Sequence, residues 1–413
     1  MDAKISPLST SDGPAIQELV RWSFGFTEEA FEPGFPPAVL EWDRVSGAFL
    51  DDPHRLAGVH AVHSFDVPVP GGRLPGAGLT WVAVHPRDRR QGVLRAMIDH
   101  HLDGVHQRGM EPVSLLFASE PEIYGRFGYG LASTEVRVAV PRGTALREVP
   151  AVSSLTVEFE RVDADRHAGV LSPCFDAARA ERPGWVGRAT PGLWRWALQL
   201  PPWMARLGAE PLSVLTVSDS GSLRGYALFR RWMADSPVGP AGTVELVELA
   251  AVDTAAHRVL WNRLLDLDLT VQVVCHRMAV DDPLLHLLVS LPSATPKVSH
   301  NLWCRVVDVP AALAGRRYAA PVDVVLELTD TRCPWNAGRW HLTGDPSNAR
   351  CEPTSATPQL RLDVRELGAL YLGGTPLLAL ADAGLVAVDD PAALAPASTA
   401  FGWPRAPFCP WVF

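Results

Sequence analysis

The chain has 413 residues, 47% hydrophobic and 20% charged, a globular composition with room for roughly two to four domains and for an enzyme. A net charge of -9 and an isoelectric point near 5.8 exclude the general basic face that phosphate neutralisation requires, so nucleic acid is not the expected partner. The opening MDAKISPLSTSDGP has neither a basic nor an apolar leader, and no apolar run reaches the ~18–20 residues of a membrane span; a cytoplasmic protein without a membrane span is expected.

In chain order, Ile16, Leu19, Val20 and Phe24 recur at helical spacing behind Ser-Asp-Gly-Pro and predict a helix from Asp12 to Phe24. HAVHSFDVPV, His60 to Val69, alternates as a strand; PGGRLPGAG reads as a turn, and LTWVAV as the next strand. RDRRQGVLRAM, Arg87 to Met97, then sets four arginines around the lone Gly92 and opens a helix whose apolar face is Leu94, Met97, Ile98 and Leu102. The strand VSLLFA and the glycine-rich ASEPEIYGRFGYG follow, and PRGTALREVPAV closes a first α/β unit over residues 1–150. A second unit, 151–296, repeats the strand–turn–helix order in TVELVELAAVDTAAHRVLWNRLLDLD, a degenerate internal repeat whose turn holds Asp253 and Thr254 in place of the glycine and paired arginines. From 297 to 413 the texture is α+β: LWCRVVDV as a strand, PAALAGRRYA as a helix, DVVLELTD as a strand, then helices broken at Gly373 and Gly374.

A glycine turn that opens a helix presents free backbone N–H groups and the positive end of the helix dipole, which is an anion site, and Arg89 and Arg90 add charge there. The GK[ST] of a Walker A loop is absent, and one glycine does not make a dinucleotide fingerprint. In ASEPEIYGRFGYG, Tyr124 and Tyr129 each offer a phenol able to act as a general acid, or to serve as a core residue with a satisfied hydroxyl; spacing alone leaves both open. The six cysteines are scattered, with no CxxC pair and no zinc-finger spacing, so no metal site is expected and buried free thiols are.

The segment Arg89-Arg90-Gln91-Gly92-Val93-Leu94 resembles the pyrophosphate loop of the GCN5-related (GNAT) N-acetyltransferases, R/Q-x-x-G-x-G/A, with Leu94 departing at the last position. Together with WVAVHPRDRRQGVLRAM, ASEPEIYGRFGYG and the three-part layout, the chain resembles the enhanced intracellular survival (Eis) acetyltransferases over its full length. The resemblance implies tandem GNAT domains, the second degenerate, followed by a sterol-carrier-protein-like domain. It also implies acetyl-CoA as donor, primary amines such as aminoglycosides, polyamines or lysine side chains as acceptors, and a homohexamer. Residue by residue, it assigns backbone groups of Val82, Ala83 and Val84 to the pantetheine arm and Arg89, Arg90, Gln91, Gly92, Val93, Leu94 and Arg95 to the pyrophosphate. Ser119 and Glu120 fall along the splayed strand, Tyr124 at the general acid, and the C-terminal carboxylate of Phe413 at the general base.

The tail sequence agrees with that last assignment. No Asp or Glu follows Asp390, and FGWPRAPFCPWVF is too aromatic for a solvated tail, so its rings are expected to bury and carry the carboxylate inside, where its pKa rises toward a useful base. Trp22, Phe24, Phe26 and Glu28, with Glu29, fall at the end of the first helix, where this fold builds its acceptor pocket; aromatic walls and carboxylates suit a cationic amine. Val412 and Phe26 are uncharged where aminoglycoside-modifying members tend to be acidic, a departure that bears on the breadth of such activity. Two competing readings are a lipid- or partner-binding protein acting through its C-terminal domain and an acyltransferase for longer acyl chains.

Overall fold

The computed structural model describes residues 3–25, 39–52, 54–150, 155–199, 208–237 and 239–413. The predicted first helix spans Gly13–Phe24, burying Ile16, Leu19 and Val20 and ending at Gly25 in the left-handed region. It packs beside a long hairpin, Leu56–Val69 and Gly72–Val84, that forms the middle of a seven-stranded sheet. The nine-residue turn expected at PGGRLPGAG is instead a tight connection at Pro70 and Gly71, with Val69 directly opposite Gly72. The later glycines of that stretch lie inside the strand because side chains would not fit: a Cβ on Gly76 would come within 2.6 Å of Val67, and one on Gly78 within 2.2 Å of Phe65. Here glycine makes room for neighbours rather than breaking a strand.

Each of the first two units contains one parallel strand pair joined by a helix. In the first, Gly76–Gly78 pair with Val113–Leu115 across the helix Val93–Arg108; in the second, Gly242–Leu246 pair with Thr270–Cys275 across the helix Thr254–Leu265. The repeat read in the sequence is therefore a repeat of architecture. The sheets do not follow the chain boundaries at 150 and 296, however, because the two units exchange an outer strand. Thr134–Pro141 leaves the first unit to pair between Lys297–His300 and Thr270–Ala279, while Leu302–Val306 returns to pair between Val113–Phe117 and Gly130–Leu131.

The last part of the chain builds a five-stranded sheet in the order Ala349–Pro353, Gly338–Gly344, Val322–Thr329, Leu360–Asp363, Val386–Val388. Its helix Val364–Leu370 lies against the returning strand so closely that a Cβ on Gly368 would meet the Cys304 carbonyl at 2.2 Å, and one on Gly130 the Arg365 carbonyl at 2.0 Å. One continuous hydrophobic core joins all three units, from Phe65 and Val113 through Tyr226 to Leu326 and Leu367. Among the described residues no helix is long and apolar enough to cross a membrane.

Candidate active site

The helix Val93–Arg108 begins at Gly92, whose φ of 84° places it in the left-handed region, and a Cβ there would touch nothing within 4 Å. Open space lies above the first free N–H groups of the helix, which is what an anion needs. Arg90 also takes a positive φ, 64°, a conformation disfavoured for arginine that holds the turn outward. Of the acids nearby, Asp88 is buried and bonded to Arg55 at 2.7 and 3.2 Å, so it is already paired. Arg89, Arg90, Gln91 and Arg95 are exposed, and among the described residues no carboxylate pairs with Arg89, Arg90 or Arg95. Val93 is buried, and Leu94 is half-buried against the cluster of Ala48, Ala57, Val93 and Met97.

Beside this turn the sheet opens. The parallel pairing of Gly72–Val84 with Val113–Phe117 stops at Gly78 and Leu115, while the antiparallel pairing on its other edge continues to Val84. A bulge between Val59 and Ala61, with Trp81 at φ 54°, bends the strand where the pairing is lost. Beyond the bulge, His85 N–H donates to the Ala57 carbonyl, and the alternation of the ladder turns Ala83 toward Val59 and Val84 toward the open edge. The Val84 carbonyl accepts from the Ser23 hydroxyl at 3.1 Å, and Val82 lies in the bulge. Ser119 and Glu120 are exposed on the opposite lip, at the start of the short helix Pro121–Tyr124.

The two tyrosines of the next loop separate by environment. Tyr129 is fully buried and its hydroxyl bonds Ser114 at 2.8 Å, which in turn bonds His101 Nε2 at 2.8 Å; burial pushes its phenol well up. Tyr124 is half-buried, its ring 6.0 Å from that of Tyr129, and burial with the nearby Glu120 pushes its pKa up to about 12. Its proton therefore stays in place across the neutral range.

The tail runs back into the first unit. Phe413 is 9% exposed, and its ring lies 4.7 Å from Phe65 and 5.3 Å from Phe117, with Cε2 facing the bare backbone of Gly78. Gly78 is the last paired residue before the strands part, so the tail seats its final ring at the apex of the opening. Phe65, Phe117 and Gly78 carry no local sequence signal for this role, Gly78 lying in a stretch whose composition is that of a turn. Trp22 is 60% and Phe24 43% exposed, and the Trp22 ring stands 5.8 Å from His85 at the end of the splayed strand. Phe26, Glu28 and Glu29 lie outside the described residues.

The corresponding turn of the second unit is built differently. Asp253 caps its helix, accepting from the Ala256 N–H at 2.8 Å, and pairs with Arg224 at 2.6 Å. Burial alone would raise the Asp253 carboxyl, but these donors outweigh it and hold the group below its ordinary value. A resident carboxylate thus takes the place a phosphate would need. All six cysteines are free and buried, and burial pushes the thiols of Cys275, Cys333, Cys351 and Cys409 up to about 12, far from a reactive thiolate. Among the described residues no group of His, Cys, Asp and Glu is arranged to hold a metal ion.

Comparison with known proteins bears on the whole chain. Residues 4–132 and 184–306 each match an acetyltransferase (GNAT) domain family, and residues 309–410 match the sterol carrier protein domain. An N-acetyltransferase Eis of Mycobacterium tuberculosis is 34% identical over 325 residues, 77% of this chain and 75% of that one. The chain belongs to the Eis family of GCN5-related N-acetyltransferases. An uncharacterized N-acetyltransferase of Streptomyces avermitilis is 40% identical over 96% of this chain and 95% of its own length. The crystal structure of Eis1 from Mycobacterium abscessus superposes with a TM-score of 0.82 at 29% identity, covering 99% of this chain and all of that one. This Eis-family chain is thus an N-acetyltransferase with tandem GNAT domains and a sterol-carrier-protein-like domain. The second GNAT match runs through residue 306 and so takes in the strand that crosses back into the first sheet.

Proposed function

We propose that the chain transfers the acetyl group of acetyl-CoA directly to a primary amine, an aminoglycoside, polyamine or lysine side chain, within a ternary complex. The residues present fit the donor: an open helix N-terminus at Gly92, Arg89, Arg90 and Arg95 around it, and a strand edge at Val84 that no neighbouring strand covers. Acetyl-CoA supplies the activated thioester when bound. The Phe413 carboxylate, directly or through a water, accepts a proton from the acceptor nitrogen as that nitrogen forms its bond to the acetyl carbon. As the carbon–sulfur bond breaks, Tyr124 O–H donates its proton to the sulfur, and solvent restores the phenol. Among the described residues Trp22 presents an aromatic face to the cationic acceptor, which it attracts by cation–π interaction.

The observation that supports this reading is the seating of the Phe413 ring against Gly78 and Phe117, at the apex where the strands part. An acetyl-CoA assay over polyamines and aminoglycosides, run on the native chain and on one extended by a few residues after Phe413, tests it. Extension is expected to lower turnover by about 100-fold or more, the scale of general acid–base catalysis, with folding and CoA binding unchanged. Equal turnover in the extended chain refutes the terminal base. The hexamer that the resemblance implies belongs to the same proposal, and light scattering on the purified protein checks it.

A further inference from the structure

We infer that the central, cofactor-incompetent unit is the socket that positions the terminal carboxylate, with Arg188 and Asn301 as its positioning residues; this rests on the reading of Phe413 as base. The tail is held at four successive points. The Ala406 carbonyl accepts from Arg182 at 2.7 Å and its N–H donates to Asp281 at 3.0 Å, while Arg182 and Asp281 pair with each other at 2.6 Å. Phe408 N–H donates to the Pro183 carbonyl at 2.9 Å. Cys409 is gripped on both sides by the fully buried Asn301, whose Oδ1 accepts its N–H and whose Nδ2 donates to its carbonyl, both at 3.0 Å. Trp411 Nε1–H donates to the Val186 carbonyl at 3.0 Å. Apart from Asn301, every one of these partners lies in the central unit.

Two features point to placement rather than adhesion. The Asn301 amide is saturated: Oδ1 also accepts from the Ser133 hydroxyl at 2.9 Å and Nδ2 also donates to Glu135 at 3.0 Å, so its orientation is unique. Asn301 also directly precedes the strand that crosses into the catalytic sheet, and Ser133 the strand that crosses out, so the tail is pinned where the two units exchange strands. Further along, the Arg188 guanidinium sits in an aromatic box, 4.7 Å from the Phe175 ring, 4.8 Å from Trp194 and 5.1 Å from Trp411. Glu248 neutralises it at 3.0 and 2.5 Å and is itself bonded by the Tyr226 hydroxyl at 2.6 Å. A buried ion pair of this kind contributes little net stability, and an apolar replacement commonly does as well. What it does supply is direction: one wall of the box is Trp411, two residues before the base, and a guanidinium that stacks and pairs at once fixes where that ring lies. The central unit thus retains a carboxylate and aromatic walls closed on an internal cation, and spends them on the tail.

The test uses the full chain with Arg188→Ala and with Asn301→Asp, which sets an oxygen where the amide now donates to the Cys409 carbonyl and Glu135. A misplaced general base is expected to lower kcat by about 100-fold while KM for acetyl-CoA and the thermal shift caused by CoA stay unchanged. Free guanidinium below denaturing concentration should restore part of the lost kcat in Arg188→Ala and none in Asn301→Asp. Carboxypeptidase should release residues from the tail of both variants faster than from the native chain. Unchanged kcat in both variants, with the extended chain inactive, overturns the socket and leaves the terminal base standing. Activity in the extended chain overturns both. Should Arg188→Ala fail to fold, Trp411→Phe, which keeps a ring but loses the bond to Val186, carries the same expectation for kcat; native kcat there overturns the socket.

Discussion

Tyr124 and Tyr129 share a loop and a side-chain chemistry, and burial alone separates them. Tyr129 spends its hydroxyl on Ser114 inside the core, whereas Tyr124 is half-buried and keeps its proton because its pKa is pushed up to about 12. A donor of that strength stays protonated until the pH passes about 12, so it cannot produce an alkaline fall in rate at the ordinary tyrosine value of about 10. Native kcat is expected to show no such fall up to about pH 10. Tyr124→Phe should lower kcat by about 100-fold or more and leave CoA affinity intact; a change of less than ~3-fold removes the acid assignment. Spacing alone left two candidate acids and only the family resemblance singled out Tyr124, because a hydroxyl's partner depends on strands that lie elsewhere in the chain.

At the scale of elements, the turn before Val93–Arg108 carries the clearest prediction. Gly92 meets nothing that a Cβ would strike, so Gly92→Ala acts through backbone strain at φ 84° rather than through a clash, costing about 1–2 kcal/mol. That strain falls on the conformation that exposes the helix N–H groups, and CoA affinity measured by calorimetry should drop about 5–30-fold. Affinity equal to the native chain's would mean that the loop does not hold the pyrophosphate. This turn could be read from sequence because its signals are local: a glycine, a helix period and clustered arginines. The hairpin before it was misread because Gly76 and Gly78 answer to Val67 and Phe65 on the partner strand, and a single-strand reading has no access to that contact.

Across the whole molecule, Arg305 ties the first unit to the last. It lies fully buried on the returning strand, donates to the Phe127 carbonyl of the tyrosine loop at 3.0 Å, and pairs with Asp330 of the last unit at 2.8 and 2.7 Å. Asp330→Ala leaves that guanidinium buried without its carboxylate and should cost about 3–5 kcal/mol in urea unfolding. Asp268→Ala, which removes an exposed partner of Arg142, should cost less than ~1 kcal/mol. Similar losses from the two changes would show that the units are not coupled through this pair. The interior of the last unit is also filled by its own side chains: Arg316 is enclosed by Tyr318, Tyr371 and Phe401 and donates to the Tyr371 and Phe401 carbonyls, so this part of the core is already packed.

By itself the sequence determined the repeated strand–turn–helix order, the glycine turn with its clustered arginines and its replacement by Asp253, the two candidate phenols and an aromatic tail that had to bury, since each of these follows from neighbours within a few residues. Only the tertiary structure decided that the units exchange Thr134–Pro141 for Leu302–Val306, that Tyr129 is spent on the core, and that Phe413 comes to rest beside Gly78, 335 positions away in the chain. The reason is that pairing between distant strands and the space left by a missing side chain are properties of two segments at once, and local pattern records only one of them.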